Sequence, residues 1–375
     1  MSAEAGVNET PSEEFDVVRP PSESTTIRRW QKLALSGGAA LGAAALLAGV
    51  IVYLNREWLI ERAIREQLTE QSGHGFVSDP GLLRVLLCGT GSPELSAAKA
   101  QACTLVSVGG RMFVFDAGEG AAKSLADSGV ALDEIERVFL THFHSDHFNG
   151  LGALINQGWI WGRSQPLDVM GPAGTVEVVR AINDAYAIDN AFRIANMPEL
   201  ESNRSAAQAH PMEIAVPQNV RSARVYDEGG ITIDAHLVVH DPVKPAFGYV
   251  IQYQGKKVFV SGDTEVSPLN MPAMQNADLV VHEAYASHLV RRAIPIMREM
   301  GMDYDAEVAE RTIAYHADTI ALAKQAQQAG VKHVVLTHLT PYPDSAIKRY
   351  LFTHGMADYY SGTVTVGKDG MVIAV

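Results

Sequence analysis

Cysteine is nearly absent from this 375-residue chain, which holds only Cys88 and Cys103. Two cysteines exclude a disulfide framework and a cysteine-based zinc knuckle. On sequence alone they read as free, half-buried thiols, with pairing left open because sequence carries no geometry. Basic residues are also in the minority, with 30 Lys and Arg against 43 Asp and Glu and a formal net charge of −13. Holding nucleic acid by phosphate neutralisation needs a basic face. The balance therefore argues against a nucleic-acid partner, although a local basic stripe stays open. Charged residues make up 19% of the chain and apolar ones 47%. A wholly disordered chain is excluded, because that apolar surface can build a sizeable core. No repeat occurs at a solenoid period. Histidine, by contrast, is plentiful, with 13 in all, and their placement decides the reading.

The first eighty residues read as an address and an anchor. Residues 1–32 begin as a Ser-, Thr-, Pro- and Glu-rich stretch with no apolar period and are expected to form a disordered tail. Arg28, Arg29 and Lys32 then precede an uncharged run over 33–54. As a helix this run is about 33 Å long, against a bilayer core of about 30 Å. It is longer than a secretory apolar core, so a transmembrane signal anchor is expected, with a cleaved export signal as the alternative. Four basic residues (Arg19, Arg28, Arg29, Lys32) precede the run and three (Arg56, Arg62, Arg65) follow it, which places the amino terminus in the cytoplasm. The expectation is a membrane-anchored protein whose catalytic domain is exocytoplasmic, in the periplasm. Residues 55–82 read as a stalk, broken at Ser72-Gly73-His74-Gly75.

Residues 83–375 read as one globular domain of strands and then of strands alternating with helices. Apolar runs at 83–88, 103–108, 111–116, 137–141 and 167–170 predict strands, the second and third forming a hairpin around Gly109-Gly110. Residues 174–186 have helical period. Residues 187–220 are polar and read as an irregular insert, and 285–313 as a second insert rich in Met and Arg. Strands recur through 223–282. A helix is expected at 319–329, a strand at 331–337 and a closing hairpin over 363–375. The pattern predicts a layered sandwich with sheets inside and helices outside.

The sharpest feature is Thr141-His142-Phe143-His144-Ser145-Asp146-His147, directly after the apolar run Val138-Phe139-Leu140. On a strand end His142 and His144 point the same way, and the following turn can bring Asp146 and His147 to the same space. Imidazole nitrogen and carboxylate oxygen suit a borderline cation such as zinc. A chance cluster of surface histidines fits the end of a buried strand poorly. His240, Asp263 and His338 each follow a separate apolar run as well. Singly, each would pass for an ordinary polar residue. Their shared position lets the strand ends of one sandwich converge on one edge.

This constellation resembles the metallo-β-lactamase superfamily of metal-dependent hydrolases over the whole of 83–375. Ala246-Phe247-Gly248-Tyr249, Ser261-Gly262-Asp263-Thr264 and His282-Glu283-Ala284-Tyr285 make it most similar to the tRNase Z and arylsulfatase-like branch. Gly171-Pro172-Ala173-Gly174 matches a loop of the same branch, and Tyr285 stands where the branch's motif has Thr. The resemblance implies an α/β fold, a four-layered αββα sandwich. It further implies two zinc ions per chain, with Mn2+ or Fe as alternatives. His142, His144 and His240 would hold one, Asp146, His147 and His338 the other, and Asp263 would bridge them. A hydroxide held by the metals would attack an ester, with Asp146 accepting the proton of the water. His282 resembles the proton donor, Glu283 orients a partner, and His316 sits where a polar residue often supports the ligands.

Three functions compete. The first is an arylsulfatase-like hydrolase of a small-molecule phosphodiester, sulfate ester or lactone. The Pro-rich Thr337-His338-Leu339-Thr340-Pro341-Tyr342-Pro343, the acidic balance and the expected anchor favour it. The second is a tRNase Z-type 3′-processing endoribonuclease. The third is a non-catalytic membrane-anchored binding protein, which the intact set of seven ligand-type residues disfavours. A homo-oligomer is left open.

Overall fold

The computed structural model describes residues 41–42, 44–71, 81–94 and 98–375. The chain divides into two units, one up to Gln67 and one from Leu68 onward. In the first, residues 44–54 are helical and α1 (Arg56–Gln71) follows, its last four residues belonging to the second. Its exposed pairs Arg62–Glu66 and Glu61–Arg65 lie one turn apart, where each adds roughly 0.2–0.5 kcal/mol to a helix. The expected tail and residues 33–40 and 43 of the expected membrane span lie outside the described residues. Among the described residues, no helix is long and apolar enough to cross a membrane.

The strands and helices of the second unit after α1 are first β1 (Leu83–Gly89), β2 (Cys103–Val108), β3 (Arg111–Phe115), α2 (Ala121–Asp127) and β4 (Ile135–Phe139). It continues through α3 (Leu151–Ile160), β5 (Leu167–Gly171), α4 (Thr175–Asn196) and β6 (Ala209–Glu213). A meander of β7 (Ser222–Glu228), β8 (Ile231–Leu237), β9 (Phe247–Tyr253) and β10 (Lys256–Val260) follows. Next come α5 (Met271–Met274), β11 (Leu279–Tyr285), α6 (Ser287–Glu299), α7 (Asp303–Thr312) and α8 (Thr319–Ala329). The chain closes with β12 (His333–Thr340), α9 (Ala346–Phe352), β13 (Thr363–Val366) and β14 (Met371–Ala374).

Two mixed sheets result, ordered β14-β1-β2-β3-β4-β5-β6 and β13-β12-β11-β10-β9-β8-β7. In each, an antiparallel part continues into a parallel one: β3 to β6 in the first sheet, β10 to β13 in the second. The central strands read as unbroken apolar runs because both faces are covered. Val85, Val106, Phe113 and Phe139 of the first sheet face Tyr249, Val260, Val281 and Val335 of the second. Leu86, Leu105, Val114 and Val138 face outward onto Leu125 of α2, Leu154 of α3 and Val179 of α4. Phe259, Val280 and Leu336 do the same onto Met274 of α5, Leu322 of α8 and Phe352 of α9. The layering is helix, sheet, sheet, helix, as expected.

Three local readings are corrected, and the second insert is given its structure. The stretch 187–220 is more regular than its polarity suggested: α4 runs on to Asn196, a 3₁₀ turn spans Pro198–Ala207, and β6 follows. Polar residues there face water and still permit helix. The Met- and Arg-rich insert folds as the helical pair α6 and α7, which bury Val290, Ile294 and Ala306 between them and Tyr285. The last two strands are no hairpin. β13 pairs in parallel with β12, whereas β14 pairs antiparallel with β1, so the turn between them crosses from one sheet to the other. Finally, Cys88 and Cys103 form a disulfide across β1 and β2 and are fully buried. Disulfides of this kind persist in oxidising compartments.

The inter-sheet aromatic cluster anchors the site edge. Phe139 stacks on Phe115 at 5.3 Å between centroids and meets Tyr249 at 5.3 Å. Phe139→Ala removes a fully buried ring and is expected to cost about 3–5 kcal/mol, measured by urea denaturation. A loss below about 1 kcal/mol would show that the layer repacks freely.

Candidate metal centre

Parallel strands end at one edge of their sheet, and in open α/β sheets polar sites collect there. This molecule brings two such edges together. Thr141 to His147 follow β4, and Asp116 follows β3. His240 follows β8, Asp263 follows β10, and His338 lies within β12. Two hydrogen bonds join the sheets beside this edge: the Tyr249 hydroxyl donates to the Leu140 carbonyl at 2.5 Å, and the Phe247 amide to the Thr141 carbonyl at 2.9 Å. Gly262 makes the closure possible. Its φ is +60°, and a Cβ there would lie 2.8 Å from the Thr141 Cβ. Any side chain would push Asp263 away from the histidines.

All seven expected residues converge. His142, His144, His240 and Asp263 present one donor atom each, all within 4.8 Å of one another, as do Asp146, His147 and His338. His142 Nε2 lies 3.0 Å from His144 Nδ1, and His240 Nε2 lies 3.2 Å from the same atom. Four ligands at 2.0–2.1 Å around a tetrahedral cation stand about 3.3 Å apart, so these spacings suit one. His338 Nε2 lies 3.0 Å and His147 Nε2 3.5 Å from Asp146 Oδ2. Asp263 Oδ2 stands between the groups, 3.3 Å from His147 and His338 and 3.9 Å from His142 and His240. The other oxygen of Asp263 and the Nε2 of His147 are buried and make no hydrogen bond. Buried polar atoms without partners are uncommon, and an ion is one thing that satisfies them.

The rings are held from behind. Asp116 accepts from the Thr141 amide and hydroxyl, each at 2.8 Å, and lies 2.7 Å from His147 Nδ1. With its hydroxyl hydrogen committed to Asp116, Thr141 can accept from His142 Nδ1 at 3.0 Å. His240 Nδ1 donates to the Tyr315 carbonyl at 3.1 Å. Each such bond fixes a tautomer and turns the other nitrogen toward the cluster. Asp116 was overlooked in the sequence, where it looked like the last residue of a strand. Its signal is the same as that of His240 and Asp263, a carboxylate or imidazole immediately past an apolar run.

Charge is distributed unevenly. Burial pushes His142 well below its usual range and also lowers His144 and His240, so these rings are neutral and able to bind a cation. Burial opposes ionisation of Asp263, but His338 and His147 override it and hold the carboxyl well below its usual range. Burial likewise works against a charge on His147, yet Asp263 and Asp116 raise its pKa well above normal. A proton and a cation therefore compete for this ring.

His282 stands apart from the two groups. On β11, Val281 packs between the sheets while Val280 packs toward the helices. Period two then sends Glu283 inward and His282 outward. His282 is fully buried near Phe259, and its Nδ1 donates to the Glu283 carbonyl at 2.8 Å. Burial lowers its pKa. Glu283 instead holds His316, whose Nδ1 lies 2.9 and 3.0 Å from the two carboxylate oxygens. The His316 ring stacks on Tyr285 and His338, each at 5.6 Å, and lies 5.3 Å from His240. Burial lowers its pKa, but the Glu283 charge and hydrogen bond outweigh this and push it up to about 9. The sequence reading gave His316 a minor supporting place, because the residues between it and Glu283 form the α6–α7 excursion that only folding closes.

Comparison with known proteins agrees with this geometry. Residues 111–339 match the family model described as the Beta-lactamase superfamily domain. A Ribonuclease Z of Mycobacterium sp. (strain KMS) is 33% identical over 262 residues, covering 69% of this chain and 85% of that protein. A Ribonuclease Z of Mycobacterium bovis is 30% identical over 291 residues, covering 77% and 96%. Among solved structures, the metallo-beta-lactamase fold protein YhfI from Bacillus subtilis aligns with TM-score 0.55 and 20% identity over 78% of this chain and 100% of that one. The short form of human tRNase Z aligns with TM-score 0.54 and 22% identity, covering 77% and 98%.

The Glu283–His316 pair has a pH signature. Because the folded pKa of His316 is raised to about 9, its stabilisation is complete below the unfolded value of about 6.5 and is lost as pH rises through 9. Relative to His316→Asn, the metal-free chain is expected to lose up to about 3 kcal/mol of unfolding free energy over that window. Urea denaturation at several pH values checks it. Parallel profiles for the two proteins would reject a charged pair.

Proposed function

We propose that this chain, which belongs to the metallo-β-lactamase superfamily and to its tRNase Z branch, is a metal-dependent phosphodiesterase that cleaves RNA. The observation that carries the reading is the convergence of seven imidazole and carboxylate side chains, Asp263 among them, on one place. The relatives named Ribonuclease Z support an RNA phosphodiester over the aryl sulfate that the Pro-rich segment after His338 had suggested. The net charge of −13 favours the second reading, a small-molecule ester.

His142, His144 and His240 would hold one cation, and Asp146, His147 and His338 the other, with Asp263 shared. Zinc suits this nitrogen-rich set. When bound, such a pair supplies Lewis-acid polarisation of a phosphoryl oxygen and a water made acidic enough to ionise near neutral pH. The chain's own groups do the rest. Asp146, kept ionised by His338 although burial opposes it, accepts the proton of the attacking water. Glu283 engages Nδ1 of His316 and leaves Nε2–H to protonate the departing ribose oxygen. This gives the acid role to His316 rather than His282, whose burial keeps it neutral. Tyr285, bonded to the Thr312 hydroxyl at 2.7 Å, fixes the base of the α6–α7 excursion from which His316 returns.

Two experiments test the reading. The zinc-loaded chain should cleave a 3′-extended precursor tRNA faster than an aryl sulfate or a lactone, and a chelator should abolish the activity until zinc is restored. Preference for the small esters would overturn the RNA assignment. His316→Ala should slow turnover by about 10²–10⁴-fold for a poor leaving group. The loss should be much smaller for p-nitrophenolate, which needs no proton. Equal losses would remove His316 from the acid role.

A further inference from the structure

We propose that Asp369 is a positioning residue for His338, and that it thereby sets the affinity for the cation assigned to Asp146, His147 and His338. The proposal rests on reading the cluster as a metal centre and names a part of it that sequence proximity hides.

His338 occupies an awkward backbone position. Its φ is +48°, in the left-handed region that non-glycine residues seldom adopt. Register explains why. Glu283 of β11 pairs with Thr337 and Ala284 pairs with Leu339, so His338 is the extra residue of a bulge. Bulges re-aim a side chain, and they persist only where surrounding contacts hold them. Here the bulge turns Nε2 of His338 onto Asp146 at 3.0 Å and Asp263 at 3.3 Å. The residue after the bulge is tied down from the other sheet, where the Thr90 carbonyl accepts from the Leu339 amide at 3.1 Å.

Thr90 is in turn fixed by Asp369. One carboxylate oxygen accepts from the Thr90 amide at 2.9 Å and from its hydroxyl at 2.8 Å. The other accepts from the Ala100 amide at 2.6 Å. Thr90 is fully buried, so these donors have no water to turn to. Asp369 itself lies in the turn that crosses between the sheets. Gly367 donates to the Leu336 carbonyl at 2.8 Å and Gly370 to the Leu87 carbonyl at 2.9 Å, which pins the turn to β12 on one side and β1 on the other. The chain of contacts is short and continuous: Asp369, Thr90, Leu339, His338. The groups around His142, His144 and His240 hang from β4 and β8 and do not pass through it.

That asymmetry is the test. The full-length chain, stripped of metal, is titrated with zinc against a chromophoric chelator. The wild type is expected to show two classes of site, one of which disappears in His338→Ala. In Asp369→Ala that same class should weaken by about 10–100-fold, the usual cost of losing a group behind a ligand, while the other class keeps its affinity. Asp369→Asn should fall between, since its one oxygen can still accept from Thr90 but the NH2 that replaces the other cannot accept from the Ala100 amide. Equal weakening of both classes, or no weakening, overturns the proposal. A wild type that binds no zinc sinks the metal-centre reading instead. If Asp369→Ala fails to fold, Thr90→Val and Thr90→Ser decide the matter. Valine should weaken the His338 class selectively and serine should restore it, and any other pattern refutes the role of Asp369.

Discussion

A single buried carboxylate organises this molecule. Asp263 is 3% exposed, yet Oδ2 has four imidazole nitrogens within 3.9 Å. An ionised carboxylate in such a place is tolerable only beside compensating positive charge. The histidines supply it by sharing protons or by holding cations, and their own burial limits how many can be charged together. The cluster is thus built for a fixed quantity of positive charge at a fixed place.

Bringing these groups together depends on two sheets that must meet along one edge. The seam is made of a few specific contacts rather than general packing. Tyr249 and Phe247 reach from the second sheet to Leu140 and Thr141 of the first. Leu339 reaches from the second sheet to Thr90. Gly262 lets the two backbones approach without a side chain between them. The apolar layer behind, with Phe113, Phe115, Phe139 and Tyr249, resists any sliding that would separate the two halves of the cluster.

Much of this was legible in the residue order. The hairpin at Gly109-Gly110, the strands before His142 and Asp263, and the helices flanking them all follow from local pattern, because strand and helix periods are written in neighbouring residues. The seven converging residues were legible too, since each stands at or near the end of an apolar run. Other features escaped. Asp116 was lost inside the strand it follows. The contact of Glu283 with His316 escaped too, because period two on β11 sends Glu283 toward the cluster while His316 lies far along the chain beyond the α6–α7 excursion. The terminal strands looked like a hairpin because adjacency suggested pairing, whereas each had a better partner in a different sheet.

The sequence by itself determined the donor types, the strand ends that carry them and the layered class of the fold. Those depend on spacing along the chain and on which positions are apolar. Tertiary structure alone decided which carboxylate supports which histidine: Asp116 behind His147, Glu283 behind His316, Asp369 behind the bulge at His338. It also decided that Cys88 and Cys103 are joined. Such pairings are distances of a few ångströms between residues up to hundreds of positions apart, and no local period encodes them. They exist because two sheets twist onto one core and leave their polar ends nowhere to go but toward each other.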